Sequence, residues 1–127
     1  MVGILLVTHN GLGDSFLDCV GHVLGNIPSH LRSLSVLADD DPAVKESEAR
    51  ALIKEVDQGN GVLLLTDLFG ATPSNIASRL CQPGSIHGVA GVNLPMLLRV
   101  VVYSDKNLSE LTQIALDGGR DFIIPLN

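Results

Sequence analysis

Residues 2–13 read VGILLVTHNGLG. Val2, Ile4, Leu5, Leu6 and Val7 make a nearly unbroken apolar run, which suits a central parallel strand covered by helices on both faces. His9 falls just past its end. In open α/β sheets ligands gather outside the carboxyl ends of the strands, so a titratable ring at that position is open to chemistry rather than sealed in a core. Asn10, Gly11 and Gly13 follow, residue types that allow positive φ and close backbone approach. A turn of this kind can aim free N–H groups of the next helix at whatever His9 carries.

Working outward, Asp14 or Ser15 is expected to cap a helix with Phe16, Leu17, Val20, Val23 and Leu24 inward, ended by Gly25, Asn26 and Pro28. Leu34 to Leu37, with Ser33 and Ser35 interleaved, reads as a half-exposed edge strand. Asp41 as N-cap with Pro42 at the first helical position opens a second helix, buried along Ala49, Leu52, Ile53 and Val56, with Glu46 and Arg50 paired outside. Val62 to Leu65 is another central strand. It runs into Thr66-Asp67-Leu68-Phe69-Gly70-Ala71-Thr72-Pro73, where Thr72 is expected to cap a third helix with Ile76, Ala77 and Leu80 inward. Ile86 to Val92 supplies a strand, Asn93 and Pro95 open a short helix, and a last helix follows Asn107 until Gly118 and Gly119 stop it. Phe122 to Pro125 is read as a short final strand. The order βαβαβαβααβ predicts an α/β fold: a doubly wound, mostly parallel sheet with helices on both faces.

A chain of 127 residues suits one domain, taken as residues 1–127. It is 46% hydrophobic and 17% charged, a balance that speaks for a compact protein and against disorder. Aromatics are only 3% and the net charge is -6, which argues against nucleic acid or an anionic membrane surface as partner. Neither a membrane-spanning segment nor a signal peptide is read from the sequence, so a cytoplasmic protein is expected. Cys19 and Cys81 belong to no C-x-x-C pair and are read as free thiols, without metal or redox role.

If the first and third strands are neighbours, His9 and Asp67 come within reach of each other at the strand ends. A carboxylate bonded to one ring nitrogen fixes the tautomer and leaves the other nitrogen free, as a nucleophilic imidazole or a general base requires. Two helix starts close by, one after His9 and one at Thr72-Pro73, tilt the reading towards phosphoryl chemistry, since helix N-termini offer N–H donors and partial positive charge. Neither loop carries Lys or Arg, which fits a transient covalent phosphoryl group better than a bound nucleotide. Gly11, Gly70 and the Thr72 hydroxyl are the expected phosphate-binding positions.

VTHNGLG (7–13), LLLTDLFGATPSNIASRL (63–80) and AGVNLPMLLRVV (90–101) resemble the IIA component of the mannose-family (mannose/fructose/sorbose) phosphoenolpyruvate-dependent sugar phosphotransferase system. The similarity spans nearly the whole chain. It implies that His9 accepts a phosphoryl group from phospho-HPr through Nε2 and passes it to a separate IIB component, that Asp67 orients the ring, and that Thr72 contacts the phosphoryl group. It also implies a homodimer in which Phe122 to Pro125 pairs with the neighbour's sheet. No cofactor or metal is called for. Asn10 stands where the family usually has glycine, and asparagine tolerates left-handed φ well enough to keep the turn. Two other roles remain open for such a carrier: a regulatory phosphoprotein, or the phosphocarrier subunit of a dihydroxyacetone kinase.

Competing patterns fail on particular residues. A dinucleotide fingerprint would need glycine where Phe16 stands. A response-regulator receiver would need acidic residues at Thr8 and His9. Among the remaining polar residues, His22 and His30 are read as solvated, His87 as structural, and Asp39 to Asp41 as helix punctuation. Asn75 and Asn93 either brace the site loops or cap turns.

Overall fold

The computed structural model describes residues 1–127. Along the chain run β1 (Gly3–His9), α1 (Leu12–Leu24), β2 (Leu31–Val36), α2 (Pro42–Val56), β3 (Val62–Thr66), α3 (Thr72–Leu80), β4 (Ile86–Ala90), α4 (Leu94–Val102) and α5 (Leu108–Asp121). The four strands form one sheet in the order β2-β1-β3-β4, and every pairing is parallel. Both apolar runs are therefore interior strands, and the half-polar β2 is an edge, as their compositions require.

Alternation along the strands divides the core between the two faces. Ile4, Leu6, Leu63 and Leu65 pack with residues of α1, α4 and α5. Leu5, Val7, Val62 and Leu64 pack with Ala49, Ile53 and Val56 of α2 and Ile76, Ala77 and Leu80 of α3. Helices thus cover both faces. After β1 the chain winds out to β2, then crosses back to β3 on the other side of β1. The strand order reverses between β1 and β3, and the carboxyl ends of those two strands flank the crevice where such sheets bind ligands. Asp41 caps α2 through the Ala43 N–H at 2.9 Å, with Pro42 in the first turn, and Asn93 caps α4 through the Met96 N–H at 3.0 Å.

Several boundaries differ from expectation. α1 begins at Leu12 with Gly11 as N-cap, so neither Asp14 nor Ser15 caps it. The acceptor comes from the strand instead: Thr8 Oγ1 accepts the Gly13 N–H at 2.9 Å. Val23 and Leu24 are exposed, because α1 carries apolar residues around more of its circumference than one sheet face can cover. Thr72 is the first residue of α3 rather than its cap, which is Ala71. Gly118 and Gly119 do not end α5; they are buried inside it, where a methyl group on Gly119 would lie 2.7 Å from Met96 Cε and one on Gly118 3.0 Å from Arg99 Cδ. They permit close approach of α4 and α5.

The expected final strand is absent from the single chain. α5 continues to Asp121, and Phe122 to Pro125 extends beyond it as unpaired coil, with Ile123 76% and Ile124 63% exposed. The helix takes up residues that a return to the sheet would need. His30 is half-buried rather than solvated, with Nε2 2.9 Å from Ser104 Oγ. His87 sits early in β4, with Nδ1 3.1 Å from Thr112 Oγ1, as a structural role requires.

Candidate active site

His9 is the last residue of β1, paired in register with Val36 of β2, and Asp67 follows directly after β3. Because β1 and β3 are neighbours with Val7 opposite Thr66, the two side chains meet above the sheet. His9 Nδ1 lies 2.7 Å from Asp67 Oδ2, and the same oxygen accepts the His9 backbone N–H at 3.2 Å. A carboxylate accepts and does not donate, so Nδ1 carries the proton and Nε2 keeps its lone pair. The side chain of Asp67 is 11% exposed and that of His9 43%: the brace is covered and the ring is open.

His9 opens onto a cleft of about 320 Å³ whose walls include Asn10, Leu37, Asp40, Thr72 and Pro73. No Lys or Arg lines it. Positive potential instead comes from two helix ends. α1 starts at Leu12, three residues from His9, and α3 starts at Thr72, which lines the cleft. Of the first-turn N–H groups of α1, only that of Gly13 has an acceptor within the chain, and Ala71 has no side chain with which to cap α3. Unpaired first-turn amides attract anions.

The other expected positions fall as follows. Thr72 lines the cleft together with His9 and is exposed. Gly11 is the N-cap of α1, with an ordinary φ of -85°. Gly70 lies in the exposed loop before α3 with φ +84°, a left-handed turn that glycine makes without strain. Neither glycine is part of the cleft wall. Asn10 is the one non-glycine residue with positive φ, at 49°, so asparagine does hold the turn that carries His9 into α1. Asn75 is exposed on α3, and Asn93 ties the start of α4 to α5 by donating to the Gly119 carbonyl at 2.9 Å.

Two contributors escape a reading of the sequence. Asp40 reaches the cleft while accepting the Leu37 N–H at 2.7 Å, with Lys45 Nζ 3.6 Å away. Thr8 is wholly buried beneath the turn. Its signal is a polar residue at the last covered position of an apolar run, which a periodicity count passes over.

Fold and site together define an open, all-parallel α/β protein with a carboxylate-braced histidine at its topological switch point. Residues 3–115 match the family model EIIA-man, described as the PTS system fructose IIA component, and the chain belongs to that family. It is 28% identical over 123 residues to the PTS system mannose-specific EIIAB component of Escherichia coli K12, an alignment covering 94% of this chain and 38% of that protein. The chain thus spans little more than a third of that relative. With the PTS system sorbose-specific EIIA component of Lacticaseibacillus casei it shares 28% identity over 131 residues, covering 98% of this chain and 90% of the other. The mannose/sorbose specific IIA subunit of the phosphotransferase system from Enterococcus faecalis superposes with a TM-score of 0.87 at 25% identity, covering 99% of this chain and 95% of that one. The protein is therefore a phosphotransferase-system component of the mannose class. No helix is long and apolar enough to cross a membrane.

Proposed function

We propose that the protein is a phosphocarrier: His9 takes a phosphoryl group from phospho-HPr and hands it to a IIB component. The observation that carries this reading is the 2.7 Å contact between His9 Nδ1 and Asp67 Oδ2, which leaves Nε2 as the free nucleophile. Nε2 attacks the phosphorus, the bond from phosphorus to the donor breaks, and the donor group leaves with that electron pair. The His9 ring gains positive character as the new Nε2–P bond forms, and the Asp67 carboxylate stabilises it through Nδ1–H. The incoming phosphoryl oxygens take the first-turn amides after Gly11 and the Thr72 hydroxyl, while Gly70, off the cleft wall, shapes the loop that leads to Thr72. Transfer onwards is the same displacement with His9 as the leaving group.

The exposed segment Phe122 to Pro125 supports a homodimer in which this tail adds to the free edge of a second copy's sheet. In this reading the protein works in the cytoplasm, as a carrier between HPr and a IIB component. The test is transfer from the labelled protein to candidate IIB proteins. Rapid loss of label to one of them supports the relay, and retention against all of them supports a regulatory phosphoprotein instead.

A further inference from the structure

We propose that Thr8 is a positioning residue for His9, holding the imidazole's backbone by bonding across the turn to the next helix. The inference rests on the phosphocarrier reading above. Thr8 is wholly buried, and its Oγ1 accepts the Gly13 N–H at 2.9 Å. That bond closes a loop from residue 8 to residue 13 with His9 and the left-handed Asn10 inside it. The loop is fixed elsewhere as well: the His9 N–H donates to Asp67 Oδ2, and the Asn10 N–H donates to the Val36 carbonyl at 3.0 Å.

Packing leaves no room for a side chain at Gly13. A methyl group there would collide with the Ser33 hydroxyl and come within 2.9 Å of Thr8 Oγ1. Ser33 Oγ is itself buried without a partner, so the Thr8 hydroxyl is the polar atom at this spot that ties strand to helix. The consequence reaches the site through α1. First-turn N–H groups project from a helix's N-terminal end, here the end joined to His9. With Gly13 N–H held by Thr8, the amides of Gly11, Leu12 and Asp14 stay unpaired and fixed in direction, available to an anion on the ring. Thr8 touches neither the imidazole nor the phosphoryl group; it acts through the backbone.

Thr8→Val keeps the shape and removes the acceptor, leaving a buried N–H unmet and the first turn free to fray. Displacements of about 1 Å around reacting atoms cost about a hundredfold in rate. In single-turnover transfer from phospho-HPr, well below the melting temperature, Thr8→Val is expected to lower the first-order rate by about that factor with KM for phospho-HPr unchanged. Thr8→Ser, which keeps the hydroxyl, restores most of it. Should Thr8→Val not fold, Thr8→Cys keeps the volume with a weak acceptor and is expected to give an intermediate rate. Wild-type rates in Thr8→Val, or in Thr8→Cys where that stands in, overturn the proposal, as do equal losses in the Ser variant and the variant lacking the hydroxyl. Wild-type protein that takes no label contradicts the phosphocarrier reading itself and removes this proposal with it.

Discussion

One oxygen of Asp67 serves His9 twice, at 2.7 Å from the ring's Nδ1 and at 3.2 Å from the backbone N–H, while its other oxygen is buried without a partner. The carboxylate fixes the tautomer and holds the ring, while the sheet and the turn hold the backbone beneath it. Asp67→Ala is expected to lower the rate of histidine phosphorylation by about a hundredfold, the usual effect of removing one preorganised electrostatic partner. The fold should persist, because Asp67 contributes no other hydrogen bond. Circular dichroism and a single-turnover labelling assay on the same sample check both halves.

Asn10 sits at φ 49°. Left-handed backbone costs a residue with an ordinary β-carbon about 1–2 kcal/mol, less for asparagine and nothing steric for glycine. Asn10→Ala is expected to lose about 1 kcal/mol of stability, and Asn10→Gly none, by urea denaturation at constant m-value.

His30 gives a pH dependence with a definite sign. Burial, and then the positive N-terminus, push its pKa below the ordinary 6.5. Between the lowered folded value and 6.5, the unfolded chain binds more protons, so stability rises with pH. The neutral ring's contribution is present above pH 6.5 and is lost as pH falls through the folded pKa. Melting temperature should drop more steeply on acidification in wild type than in His30→Gln, which keeps a hydrogen-bonding side chain towards Ser104 without titrating.

Gly119 reads as a helix stop in the sequence and lies buried within α5 in the structure. A methyl group there would press on the terminal carbon of Met96, the end of a flexible but buried side chain that has to shift to make room. Gly119→Ala is expected to cost about 1–3 kcal/mol as an overpacking change. Thermal denaturation measures it.

The sequence made the central layer legible because burial leaves no choice there: two apolar runs had to be interior strands, and Asp41-Pro42 had to start a helix. His9 and Asp67 could be brought together on topology alone. What escaped depends on tertiary partners. Gly118 and Gly119 look like a helix stop until α4 is seen against them. Phe122 to Pro125 has the composition of a strand, but a strand needs a neighbour, and in the single chain α5 runs to Asp121 and leaves the segment unpaired with either edge of the sheet. The caps of α1 and α3 were misplaced because Thr8 does from the strand what an N-cap usually does from the helix, and because Thr72 lies inside the helix it was expected to cap. Its hydroxyl is thereby left for the cleft.

The central claim, that His9 is the group phosphorylated, is tested most directly by incubating the protein with phosphoenolpyruvate, enzyme I and HPr and locating the phosphate. The account predicts an acid-labile, base-stable phosphate in wild-type protein and none in His9→Ala. Label that persists in folded His9→Ala contradicts it.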